Sequence, residues 1–479
     1  MAKSIFHTSE NQNTYLYDIR SRLSMLVHPD LKIAAEETGE VDSYYRGKYG
    51  YLKNCGFFKE GESVKFGEIT ESMIRDSLIH TPQITFETTD FCNLNCTYCS
   101  FGELYEGFDE RNHKNIDIDF AKKLLRFVFN NRPESKKQKL LIGFYGGEPL
   151  FNGKFILQIV DFVDQLKKEK YIEVEYNITT NALLLHKYMD FFVKNRFRIL
   201  ISLDGNRKNH SYRSVRKDGN NSFDRVIENV DRMQYLYPVY FEKYVRFNAV
   251  LHDRNSVKEI QEFVYERYHK VSRIAPLVMV DLNKKNEVVA QKMYRNKLES
   301  EIDFQKEESE LLPTVHEEFS VFKELIDFLK YYSLNYYVSN ITSLLYETEK
   351  ILPTSTCLPG QKKILLTTHG KLLPCERVNY KYTIGEIRED VVLNIPEITV
   401  RYKHYYHHVQ KICQHCFLNR FCNNCMLQLK MLDQVDKKDF VCEHFCNDKG
   451  LMYKLYRVLS FLEKYPLDFF KIVENHVIL

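Results

Sequence analysis

The chain contains no tryptophan, and no apolar run in it is long enough to span a bilayer. Its N-terminus, MAKSIFHTSE, lacks the apolar core of a secretory signal. These absences predict a soluble, cytoplasmic protein. Net charge is also scarce: 68 Lys and Arg stand against 65 Asp and Glu, a formal balance of +3. That balance gives no general reason to expect nucleic acid or an anionic membrane as a partner. Internal repeats and low-complexity tracts are absent too. The 33 Tyr and 33 Phe that accompany the missing Trp carry no functional reading.

What is present is length, core and cysteine. A chain of 479 residues, 44% of them hydrophobic, suits two or three domains with a sizeable core. Disulfides rarely persist in the cytoplasm, so the 12 cysteines need another use. Three of them lie within 92–99 and six within 413–446.

From residue 84 apolar, β-rich runs alternate with stretches of helical period. The runs are Ile84–Thr88, Leu140–Tyr145, Ile172–Thr179, Arg198–Leu203, Tyr244–Leu251 and Ile274–Val280. Between them Phe120, Leu124, Leu125 and Val128 share one helical face, as do Ile156, Ile159, Val160, Val163 and Leu166. Ser222 is placed to cap a helix over Phe223–Met233. Six strand–helix units in series predict a parallel sheet with helices outside, because each parallel crossover needs a helix-length connection. The expected fold class is α/β, a partial (β/α)6 TIM-type barrel rather than a doubly wound sheet.

Residues 1–82 precede this pattern. Thr14–Asp18 and Arg22–Val27 read as strands, His28–Glu37 and Tyr44–Asn54 as helices, giving a small N-terminal α+β module. The barrel is expected over 83–285 and a charged helical connector over 286–350, with Glu317–Tyr332 its clearest helix. A hairpin over Ile364–Pro374 leads into a Cys-rich domain at 351–447, and a helical tail follows at 448–479.

Cys92, Cys96 and Cys99 directly follow the first barrel strand, spaced C-x3-C-x2-C with Tyr98 before the last. Thiolates ligate iron well, and three on one loop can hold three corners of a [4Fe–4S] cluster, leaving one iron open to a small molecule. In a TIM-type barrel such a loop lies on the usual active face. Zinc, which normally takes four ligands from paired C-x2-C units, is the poorer fit. A buried structural thiol group is the other alternative.

This pattern resembles the CxxxCxφC signature of the radical S-adenosylmethionine superfamily. The resemblance implies that the open iron takes the amino and carboxylate groups of S-adenosyl-L-methionine. One electron then breaks a C–S bond to give a 5′-deoxyadenosyl radical, which abstracts a substrate hydrogen. Three further segments match along the barrel. Gly146-Gly147-Glu148-Pro149 resembles the family's GGEP motif, with Glu148 an acceptor for the cofactor ammonium. Thr179-Thr180-Asn181 follows the third strand, with Ala182 where the family often has Gly. Ser202-Leu203-Asp204-Gly205 resembles the SLDG motif, whose Ser contacts the ribose. Arg213 and Arg216 both qualify to meet the cofactor carboxylate. The cofactor-binding set implied is therefore Tyr98, Gly146, Gly147, Glu148, Pro149, Thr180, Asn181, Ser202, Asp204, Arg213 and Arg216.

Eight more cysteines follow at 357, 375, 413, 416, 422, 425, 442 and 446. By spacing alone, C-x2-C-x5-C-x2-C reads as zinc about as readily as iron–sulfur. With the barrel before it, the segment resembles the SPASM extension of radical enzymes. That resemblance implies two auxiliary [4Fe–4S] clusters. Cys413, Cys416, Cys422 and Cys442 would hold the outer one. Cys357, Cys375 and Cys425 would hold the inner one, with Cys446 or a substrate sulfur as the fourth ligand. Cys55 stands alone and reads as an inert core thiol.

SPASM-bearing enzymes mostly modify peptides. The expected function is therefore a maturase that forms a thioether or C–C crosslink in a ribosomally made precursor peptide. The residues before Cys92 would recognise a leader peptide by β-augmentation. Flavodoxin or ferredoxin would donate electrons. Two alternatives stand beside it: an anaerobic sulfatase-maturating, formylglycine-forming enzyme, and a non-catalytic metal-binding partner protein.

Overall fold

The computed structural model describes residues 4–59, 66–132, 135–307, 309–333, 352, 358–419, 422, 424–472 and 474. The chain divides into two compact units, each assembled from separate stretches. One comprises Met1–Glu68, Phe319–Thr356 and Lys403–Leu479; the other comprises Ile69–Glu318 and Cys357–Tyr402.

The first unit holds an antiparallel sheet of three strands, β1 (Ser4–Thr8), β2 (Thr14–Asp18) and β3 (Leu23–Val27), in the order β1-β2-β3. The two expected strands are present. The Asp18 carboxylate shapes the turn between them by accepting from Ser21 N at 2.9 Å and Ser21 Oγ at 2.7 Å. Strand β1 is additional to the two expected, and pairing with β2 fixes it (Ile5 opposite Tyr17, Phe6 opposite Leu16). Helix Pro29–Glu36 starts on a proline, where the missing N–H costs nothing, and Asp42 caps helix Ser43–Asn54. Phe6, Leu16 and Leu31 form the core beneath them. Cys55 ends the second helix and is exposed, which corrects its reading as a core thiol.

The same unit contains the C-terminal helix Asp448–Lys464. Glu463 on it accepts from Asn13 Nδ2 at 2.9 Å and Tyr15 Oη at 2.7 Å.

The second unit is built on a sheet of ten strands. These are β4 (Gln83–Glu87), β5 (Ser135–Tyr145), β6 (Ile172–Thr180), β7 (Arg198–Ser202), β8 (Val245–Leu251), β9 (Ser272–Pro276), β10 (Ile364–Leu366), β11 (Lys371–Leu373), β12 (Gly385–Ile387) and β13 (Val391–Val392). Their order is β13-β12-β11-β10-β4-β5-β6-β7-β8-β9. From β4 to β9 every pairing is parallel and joins consecutive strands. A doubly wound sheet would reverse its order at a switch point; this one winds in one sense, as a partial barrel does. Each strand lies within a few residues of its sequence expectation.

The helices between them bury the faces their periodicity marks. Leu124, Leu125 and Val128 do so on Ile118–Asn131, where Phe120 is only half-buried, and Ile156, Ile159, Val160, Val163 and Leu166 on Gly153–Glu169. The hairpin β10–β11 also forms, and β10 adds parallel to β4, with Ile364 opposite Ile84.

Two local expectations fail. Ser222 precedes helix Phe223–Leu236 but does not cap it; its hydroxyl donates to Arg213 O at 2.7 Å and lies 3.0 Å from His210 Nε2. Burial with those two partners outweighs a cap bond. Glu317–Tyr332 is not one helix. A 3-10 turn covers His316–Glu318, Phe319 is extended, a helix covers Ser320–Asp327, and a π turn covers Phe328–Tyr332. Residues 334–350 of the expected connector lie outside the described residues. No described helix is long and apolar enough to cross a membrane.

Candidate metal and cofactor centre

In the second unit, the loop after β4 carries Cys92, Cys96 and Cys99. The loop is stitched to the segment that holds Tyr212–Arg216. Asn95 N donates to Ser214 O at 2.8 Å, Arg216 N to Asn93 O at 2.9 Å, and Leu94 bridges Val215. A tight turn brings Cys99 N to Cys96 O at 3.0 Å. The three thiols are close enough that each charge would penalise the others. Burial, and then the Glu148 charge, push the Cys92 thiol up to about 12; burial pushes Cys96 up as well. Thiols so placed favour a metal that displaces their protons. They fit a three-cysteine iron–sulfur site.

Gly146 and Gly147 end β5 against this loop. Gly146 has φ +134°, and a Cβ on Gly147 would lie 2.0 Å from Phe91 O. Gly147 N donates to Thr89 O and Glu148 N to Phe91 O, both at 2.8 Å. The glycine pair therefore lets the chain approach its own cysteine loop closely, a tighter reason than approach to a ligand alone.

Glu148 is buried behind that contact. Its carboxylate accepts from Thr180 Oγ1 at 2.6 Å, Asn181 N at 2.8 Å and Leu150 N at 3.2 Å. Burial outweighs these three bonds and raises its pKa to about 7. Pro149 is buried and opens the 3-10 turn that follows. Asn181 Nδ2 reaches Asn93 Oδ1 at 2.8 Å on the cysteine loop. Ala182 holds φ +63°, the left-handed conformation that glycine adopts without strain. The loop geometry is thus kept without the glycine.

Asp204, after β7, is the hub of a second buried group. It accepts from Tyr98 Oη, from Arg213 Nε at 2.9 Å and Nη2 at 3.0 Å, and from Val250 N at 3.0 Å. Burial pushes this carboxyl up, but Arg213 and the His252 and Arg213 hydrogen bonds override it and hold it well below the carboxylate range. The Tyr98 ring stacks on His252, with centroids 5.6 Å apart. Arg213 is therefore committed to Asp204. Arg216 is exposed, and its Nε donates to Cys92 O at 3.0 Å. Ser202 ends β7, half-buried, with β8 beside it.

Sequence reasoning missed Glu87. It ends β4 fully buried and accepts from Arg111 Nη2 at 2.8 Å, Tyr380 Oη at 3.1 Å and Thr368 N at 3.2 Å. A carboxylate inside the apolar run ITFE was the available signal.

In the first unit, Cys413, Cys416, Cys422 and Cys442 act on one another electrostatically, and burial raises the Cys413, Cys416 and Cys442 thiols. This is the quartet assigned to the outer cluster. Cys446 lies beside it, its N–H donating to Cys416 Sγ at 3.4 Å. Cys425 belongs to the same unit, Cys375 to the other, and Cys357 lies outside the described residues.

Residues 86–264 match the model of the Radical SAM superfamily. Among curated proteins, the radical SAM cyclopropyl synthase TigE of Paramaledivibacter caminithermalis is 25% identical over 205 residues, 40% of each chain. A cysteine-type anaerobic sulfatase-maturating enzyme of Clostridium novyi is 27% identical over 29% of this chain and 36% of its own. The chain thus spans about two fifths of the length of the curated relatives it matches. Among solved structures, native anSMEcpe with bound AdoMet and Cp18Cys peptide superposes with TM-score 0.52 at 18% identity, over 82% of this chain and 99% of that one. At that identity the likeness bears on the fold.

Proposed function

We infer, from the radical SAM domain that this chain carries, that the protein is a radical S-adenosylmethionine enzyme of the SPASM type that modifies a peptide. The observation that carries this reading is the gathering of three half-buried cysteines on the loop after β4, next to Glu148 and Asn181. Cys92, Cys96 and Cys99 would hold a [4Fe–4S] cluster with one open iron. When bound there, S-adenosylmethionine supplies a 5′-deoxyadenosyl radical that takes a hydrogen atom from substrate.

The chain's own residues would then bind and orient it. Glu148 and Asn181 would accept from the cofactor ammonium, Ser202 would meet the ribose, and Arg216, exposed while Arg213 is held by Asp204, would meet the carboxylate. Arg213 and Asp204 hold the Tyr98 wall. Gly146, Gly147, Pro149 and Thr180 shape the floor. Burial of Glu148, Asn181, Asp204 and Arg213 would help keep water from the reacting atoms.

Forming a crosslink removes two hydrogens from the peptide, one as an atom and one as a proton plus an electron. The quartet Cys413, Cys416, Cys422 and Cys442 suits a closed cluster that takes such an electron. The second auxiliary cluster rests on the sequence resemblance alone, through Cys357, Cys375 and Cys425. The substrate we favour is a ribosomally made precursor peptide. In support, the N-terminal sheet ends on β3, which among the described residues pairs only with β2. A leader strand can extend such an edge. The curated relatives favour a second reading, formylglycine formation on a sulfatase-type peptide.

Anaerobic incubation with reductant and S-adenosylmethionine tests the common core: 5′-deoxyadenosine is expected, and its absence would overturn both readings. Mass spectrometry of the peptide separates them. A crosslink removes two hydrogens and keeps sulfur, whereas formylglycine from Cys loses sulfur and gains oxygen.

A further inference from the structure

Outside the two cysteine groups, the first unit gathers His404, His408 and Asp436. The histidines stand one turn apart on helix Ile395–Cys413, and Asp436 lies between Cys425 and Cys442. His408 Nε2 is 2.9 Å from Asp436 Oδ1, and His404 Nε2 is 3.4 Å from Asp436 Oδ2. One donor atom from each residue lies within 4.8 Å of the other two.

The His408 ring is oriented from behind. Its Nδ1 lies 3.0 Å from the His404 carbonyl oxygen, which can only accept, so Nδ1 carries hydrogen. Nε2 then faces a carboxylate. A neutral ring with its hydrogen on Nδ1 puts its lone pair against the carboxylate oxygen, so either a second proton or a bound cation sits between them. The two imidazoles lie with ring centroids 5.0 Å apart. One divalent ion serves all three donors at once.

We propose that His404, His408 and Asp436 bind a divalent first-row ion of the zinc class. The ion staples the helix that ends in Cys413 to the segment 426–441 that leads to Cys442. Two imidazoles and one carboxylate suit such an ion rather than magnesium or calcium. Three protein ligands leave the rest of its shell to water, as the exposure of His404 and Asp436 allows. The site is independent of the radical chemistry. It acts on the stretch of chain that presents two of the quartet's thiols.

The test uses the enzyme reconstituted with iron and sulfide. It is dialysed to equilibrium against Zn2+, and zinc and iron are counted together by mass spectrometry. Wild type is expected to take one zinc per chain beyond its iron, and so is His407→Ala, whose ring neighbours His408 at 5.2 Å but is outside the set. His408→Ala and the isosteric Asp436→Asn should weaken zinc binding at least tenfold, about 1.4 kcal/mol, at unchanged iron content. Zinc should also slow proteolysis within 426–441 in wild type and not in His408→Ala. No zinc uptake by wild type, or uptake by His408→Ala and Asp436→Asn equal to wild type, would overturn the site and leave a surface ion pair only.

Discussion

Cys92, Cys96 and Cys99 sit on a loop held from two sides before any metal is considered. The 212–216 segment bonds its backbone, and Gly146 and Gly147 let β5 close against Thr89 and Phe91. Cys413, Cys416, Cys422 and Cys442 instead stand at a helix end and on short turns, where the described bonds include Cys416 N to Cys413 O, Phe445 N to Cys442 O and Phe417 N to Cys446 O. The first group is preorganised by buried polar contacts, as a site that must place a reacting ligand requires. The second would offer four thiolates to one cluster and could draw its order from that cluster once bound.

The sharpest way to break this comparison is to remove one thiol from each group. Cys99→Ala should abolish 5′-deoxyadenosine formation, by roughly a thousandfold or more, and remove about 4 of about 12 irons. Cys442→Ala should also lose iron yet keep cleaving S-adenosylmethionine. Equal loss of cleavage in both would erase the distinction.

Next in size is Arg213→Met, which strands the Asp204 charge in a buried site. A cost of about 3–5 kcal/mol is expected in denaturant unfolding. A value near zero would show that the preorganised wall does not depend on this pair.

The buried Glu148 adds a pH signature to the metal-free protein. Its folded pKa, about 7, lies above the usual 4.5, so its contribution is fully present below pH 4.5 and is lost as pH rises through 7. The loss amounts to at most about 3 kcal/mol. Glu148→Gln should flatten that slope; an unchanged slope assigns it to other groups.

Gly147→Ala sets a methyl against Phe91 O and should cost about 1–3 kcal/mol, with poorer filling of the first cluster measured by iron content. Smallest is Glu463→Gln in the first unit, whose bonds to Asn13 and Tyr15 are solvent-accessible. A change within about 0.5 kcal/mol is expected, and a larger one would make the N-terminal sheet's tie to Asp448–Lys464 as firm as the cysteine loop's.

Much of the fold was legible because period and spacing are local. The alternation of apolar strands with amphipathic helices marks β4 to β9, and Thr14–Asp18 with the run to Val27 marks a hairpin. Ser222 misled because a serine before a helix looks like a cap whether or not a buried partner claims its hydroxyl. Glu317–Tyr332 misled because helical periodicity continues across a 3-10 turn and an extended Phe319. Strand β1 has five residues, and its identity depends on β2.

The sequence by itself determined the cysteine spacing, the strand–helix series and the glycine pair, since each follows from backbone geometry over a few residues. Only the tertiary structure decided that Arg213 is bound to Asp204 while Arg216 stays exposed, that Glu87 joins β4 to the hairpin's far side, and that His404 and His408 meet Asp436. Those pairings are set by which distant segments share a buried or facing surface. Charge and hydrogen-bond partners across such a surface are chosen by packing, and spacing along the chain does not encode them.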